Sequence, residues 1–78
     1  MKVYVGVDVA VDAYGKLHPR CVHWEDGRRF EIQSVLDERR AASLKAGGSG
    51  VRYTCLINGH TTFLFFEDPR WFVDSVKN

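Results

Sequence analysis

The sequence predicts a mainly β protein, a single small antiparallel sheet in meander order, and three observations predict it. Val3, Val5, Val7, Val9 and Val11 alternate with Tyr4, Gly6, Asp8, Ala10 and Asp12, the two-residue period of a strand with one buried face. Two turn signals, Glu25-Asp26-Gly27 and Ile57-Asn58-Gly59, each separate a pair of extended, aromatic-containing runs. At 78 residues the chain makes one domain, 1–78. Ordering each residue of so small a domain costs about 1.5 kcal/mol, so little apolar surface is wasted and no internal catalytic cavity is expected.

After the valine strand, Tyr14-Gly15-Lys16 supplies turn chemistry before a second segment, Leu17 to Trp24. Pro19 has no N–H for a ladder, which predicts an edge position or a strand beginning at about Arg20. The Glu25-Asp26-Gly27 connection admits two registers. A two-residue loop mixes Cys21 and His23 with Phe30 and Ile32 on one face. A three-residue loop closed by Gly27 pairs Trp24 with Arg28 and Val22 with Phe30, and it gathers Val22, Trp24, Phe30, Ile32 and Leu36. Because a one-residue slip turns every side chain over, the coherent apolar face selects the three-residue loop.

The same reasoning at Asn58-Gly59 favours three-residue closure, with Val51, Tyr53, Cys55, Phe63 and Phe65 inside. Arg52, Thr54, His60 and Thr62 then point outward. That choice leaves Leu56, Leu64 and Phe66 on the outer face as a second apolar patch. Residues 37–46 have helix-favouring composition, with Asp37 as an N-cap and Gly47 as a stop, although apolar residues at 41, 42, 44 and 46 do not form a helical stripe. A short helix or helical turn is expected there. Glu67-Asp68-Pro69-Arg70 turns the chain into a last strand, Trp71 to Asp74. Five or six strands in this order suggest a partly closed barrel of the SH3-like kind, with an open sheet covered by a helix as the alternative.

Hydrophobic side chains at 45% and charged ones at 27% give a globular balance. A formal charge of +1 supplies no global attraction to nucleic acid or membranes. Two cysteines without a CxxC pair predict a reducing, cytoplasmic setting. Asp8 and Asp12 interrupt the N-terminal apolar run where a signal peptide is uniformly apolar, and no segment is long enough to span a membrane.

Several constellations can be weighed for chemistry. Cys21, His23, Cys55 and His60 are zinc-ligand types, but the favoured registers turn Cys55 inward and the others outward, so no metal or other cofactor is expected. A cysteine–histidine catalytic pair would need a concave meeting point, and none is specified. Asp8 and Asp12 share a strand face about 13 Å apart, too far for coupled acid–base work. Gly47-Gly48-Ser49-Gly50 lacks the GK[ST] ending of a phosphate loop and reads as a connector.

The run Val22-His23-Trp24-Glu25-Asp26-Gly27-Arg28-Arg29-Phe30-Glu31-Ile32, with Arg52-Tyr53-Thr54 and Leu64-Phe65-Phe66-Glu67-Asp68, resembles small bacterial proteins of an uncharacterised family. These are hairpin and core motifs, so the resemblance implies a bacterial origin and carries over no functional residue.

The expected function is a non-enzymatic module for protein interaction or self-association through Leu56, Leu64 and Phe66, with a homodimer or another protein as partner. The alternative is nucleic-acid binding by an arginine-rich edge of Arg28, Arg29, Arg39, Arg40, Lys45 and Arg52, with Tyr4 for stacking. Trp71 is a further candidate for stacking. Interleaved Glu25, Glu31, Asp37 and Glu38 would make solubilising pairs with the same arginines.

Overall fold

The computed structural model describes residues 1–43 and 48–74, without the side chains of residues 41–43, 48 and 49. These residues form seven antiparallel strands, β1 (Lys2–Val11), β2 (Leu17–His23), β3 (Arg29–Glu31), β4 (Ser34–Ser43), β5 (Gly48–Ile57), β6 (His60–Glu67) and β7 (Arg70–Asp74). They lie in the order β3-β2-β1-β7-β6-β5-β4. Chain neighbours pair throughout except β3 with β4, and β1 pairs with β7 instead. The result is a meander curled until its first strand meets its last, a half-barrel open between β3 and β4.

That opening is spanned by two residues. Ile32 N–H donates to the Arg20 carbonyl at 2.9 Å, and Gln33 N–H donates to the Leu56 carbonyl at 2.8 Å. Adjacent amides are thus satisfied by β2 and β5, on opposite sides of the gap. The corner turns the chain from one edge of the sheet to the other.

The first hairpin register agrees with the sequence. Trp24 N–H donates to the Arg28 carbonyl at 2.8 Å, Val22 faces Phe30, and Gly27 takes a φ of 90°. The second does not. Ile57 pairs with His60, and Asn58 and Gly59 take φ values of 52° and 75°, the two-residue turn whose twist matches that of the strands. Leu64 and Phe66 therefore face inward, while Phe63 is exposed and Phe65 lies half-buried on the outer face. The apolar run Phe63-Leu64-Phe65-Phe66 has no alternation, so turn geometry decides the register.

Three further expectations are corrected. The helix around 37–46 is replaced by β4 as far as Ser43, and residues 44–47 lie outside the described residues. A weak helical pattern yields to a ladder that pairs β4 with β5 from Ser34 to Ser43. This turns the expected five or six strands into seven. Leu36 is 56% exposed because a bulge between Val35 and Asp37 lifts it out of the ladder. Strand β2 starts at Leu17 rather than Arg20, and Pro19 is buried beside a register shift, where the missing N–H is tolerated.

The core consists of Val22, Tyr53, Cys55, Leu64 and Trp71, with Val5, Val7, Phe30, Val51, Phe66 and Val73 packed against it. Trp71 rests against both Phe66 and Tyr53, with centroid separations of 4.6 and 5.4 Å. Burial pushes the Cys55 thiol pKa up to about 11. Phe72 is buried on the other face of β7, stacked on Phe65 at 4.9 Å and met edge-on by Tyr4.

Candidate functional site

The inward faces of β2, β3, β5, β6 and β7 do not close completely at one end of the half-barrel. Val22, Trp24 and Phe30 line one side of the opening, and Ile57, Leu64 and Val73 line the other, around a cavity of about 440 Å³. This falls within the size range of ligand pockets. Arg28, Asn58, His60, Thr62 and Asp74 complete its lining. A continuous apolar floor with a small polar rim can seat one large apolar group and orient what surrounds it.

Two hairpins build this mouth. Asp26 fixes the first: its carboxylate accepts the Arg28 N–H at 3.0 Å and pairs with Arg28 Nε at 2.6 Å. Those bonds hold the Asp26 carboxyl below its ordinary pKa, the backbone bond contributing most. The Arg28 guanidinium then lies over Phe30, 5.4 Å from the ring centre. The second hairpin is tied to the corner, where Gln33 Oε1 accepts the Gly59 N–H at 2.9 Å. At the remaining rim, Asp74 pairs with the N-terminal amine at 2.8 Å.

The sequence-predicted interaction residues separate. Leu64 is fully buried at the floor of the mouth, Phe66 packs against the core, and Leu56 is half-buried on the outer face. They make no outer patch, because the two-residue turn inverts β6. The mouth itself follows from the same correction: Val22, Trp24 and Phe30 were legible as one face, but its opposing wall requires Leu64 inside.

The basic residues also divide. Arg28 and Arg29 belong to the β3 side and Arg39 and Arg40 to β4, the two ends of the strand order. Arg28, Arg29 and Arg39 pair with Asp26, Asp8 and Asp37 at 2.6, 3.6 and 2.8 Å. Lys45 lies outside the described residues. Arg52 faces Arg39 across the ladder and lies over the exposed Phe63 at 4.8 Å. Tyr4 shares that outer face through its pairing with Phe72, and Arg70 covers its ring at 3.5 Å. Trp71, by contrast, is core.

Cys21 and His23 lie two residues apart on β2, opposite Asp8 and Gly6 of β1. Cys21 lies on the outer face, as its register requires, but is only 4% exposed where a half-exposed thiol is expected. Cys55 belongs to the core and His60 to the mouth, so of the four zinc-type residues of the sequence Cys21 and His23 come together and the other two lie elsewhere. Among the described residues no helix is long and apolar enough to cross a membrane. No protein-family model, curated protein or solved structure matches the chain.

Proposed function

We propose that this chain is a non-enzymatic protein-interaction module whose working surface is the open end of the half-barrel. The apolar cavity between the two hairpins carries the reading. Strand β3, which contributes Phe30 to that cavity, has β2 as its ladder partner on one side and none on the other among the described residues. An extended segment of another protein can add to that edge and place one large apolar side chain in the mouth. Main-chain hydrogen bonds would supply affinity and the cavity would supply selectivity. The two unpaired cysteines suit a reducing, cytoplasmic setting. A meander curled in this way is also the basis for describing the domain as SH3-like.

The test is selection from a random peptide display library against the folded protein. Enriched peptides are expected to share a large apolar residue, to shift the amide resonances of Arg29–Glu31 and Val73, and to lose binding to Thr62→Phe, which fills the mouth. Peptides that bind Thr62→Phe equally well, or that shift only outer-face resonances, would refute the proposal. Light scattering over a concentration series distinguishes a second copy of the chain from a different protein as the occupant.

A second reading draws on the outer-face row Tyr4, Phe72, Phe65, Arg52 and Arg39, in which three cross-strand aromatic neighbours are followed by two arginines. Single-stranded nucleic acid is the ligand such a surface suits. Titration with single-stranded DNA at low salt tests it, because phosphate contacts are strongest there.

A further inference from the structure

We infer that Asp8, Cys21 and His23 form a binding site for a borderline-soft divalent cation of the zinc type. One ligand atom from each residue lies within 4.8 Å of the other two. The donors are a carboxylate oxygen, a thiol sulfur and an imidazole nitrogen, all of which zinc accepts in a tetrahedral shell.

Sheet geometry explains why they meet. Cys21 and His23 are two residues apart on β2 and so share a face. Asp8 lies directly opposite Cys21 in the ladder, and Gly6 lies opposite His23. A Cβ at Gly6 would be 3.4 Å from the His23 Cβ, so the imidazole packs along the face over Gly6. His23 Nε2 reaches Asp8 Oδ1 at 2.9 Å. Two such donors on one tetrahedral zinc are about 3.3 Å apart, so a small separation of the pair admits the ion. The β1–β2 register shift lies immediately after Asp8, a location where bulges commonly aim side chains.

Without a metal, the positive charge at this site comes from Arg29. Its Nη2 is 3.6 Å from Asp8 Oδ2. The Arg29 side chain is 63% exposed and can turn into solvent as a cation enters. Glu31, opposite Cys21 on β3, or a water then takes the fourth position. The ion is held by the thiolate, so the Cys21 proton is released to solvent on binding.

Cobalt(II) titration of the reduced full chain, read by the thiolate-to-cobalt absorption band, tests the site. One ion per chain is expected, displaced by zinc, with a band absent in Cys21→Ser and retained in Cys55→Ala. Asp8→Asn and His23→Ala should each bind at least about tenfold more weakly. Arg29→Ala should bind more tightly, since a competing cation is removed. Circular dichroism of each variant confirms that the sheet is intact, and a rise in melting temperature with zinc gives a second readout of binding. A band that persists in Cys21→Ser, one ion shared by two chains, or wild-type affinity in both Asp8→Asn and His23→Ala would overturn the assignment.

Discussion

Replacing Leu64 and Phe63 in turn with threonine measures which of these neighbours faces the core. Leu64 is 0% exposed and Phe63 is 47% exposed. Truncating a buried leucine typically costs about 2–5 kcal/mol, and enclosing a hydroxyl without a partner adds to that. The mouth that adjoins the enclosed Leu64 leaves its surroundings room to relax, which keeps the cost in the lower half of that range. We therefore expect about 3 kcal/mol for Leu64→Thr. Phe63 gives up part of its burial and its contact with the Arg52 guanidinium, about 1 kcal/mol together. At about 4–8 °C per kcal/mol for a domain of this size, the melting temperature should fall by about 12–24 °C for Leu64→Thr and by about 4–8 °C for Phe63→Thr. Thermal unfolding followed by circular dichroism, with urea unfolding at 25 °C as a check, gives both values. If Phe63→Thr proves the more damaging, the β5–β6 hairpin closes over three residues and the mouth loses its inner wall.

The other expectations concern backbone and titration. Gly59→Ala should destabilise by about 1 kcal/mol: no atom lies within 4 Å of the added methyl, so its cost comes from the φ of 75° alone. Gly50→Ala should cost about 1–3 kcal/mol for a different reason, since its Cβ would lie 2.7 Å from the Phe66 carbonyl oxygen and force β5 and β6 apart. Both are read from urea midpoints. The Cys55 thiol is raised from an ordinary 9.0 to about 11, so folding favours its neutral form. That contribution is complete below pH 9.0 and fades as pH rises through about 11, and Cys55→Ala should lose less stability than wild type across this window.

Much of the fold was legible because one buried face imposes period two. The valine strand and the Glu25-Asp26-Gly27 hairpin both follow from it, and Val22, Tyr53 and Cys55 are buried as that face requires. The rule failed at Phe63-Leu64-Phe65-Phe66, where both faces carry apolar groups. Phe72, Phe65 and Tyr4 explain why: the outer face has an aromatic cluster of its own. A pattern that assumes one apolar face cannot choose between two. Residues 37–43 were misread because their propensity is local, whereas the β5 strand that fixes them comes later in the chain. The grouping of Asp8 with Cys21 and His23 needed the β1–β2 register, which neither turn signal supplies.

The corner at Ile32 and Gln33 divides the molecule into blocks that acquire order separately. Strands β1–β3 form through contacts local in sequence, and so do β4–β7, each growing by hairpins whose ends are already close. The β1–β7 ladder, from Lys2–Asp74 to Val5–Trp71, instead joins distant parts of the chain. Its closure entropy is of the order of 4 kcal/mol and brings no return until both blocks present their edges. Folding should therefore be limited by the docking of preformed halves, and slow amide exchange should show this ladder opening before the hairpins within either half.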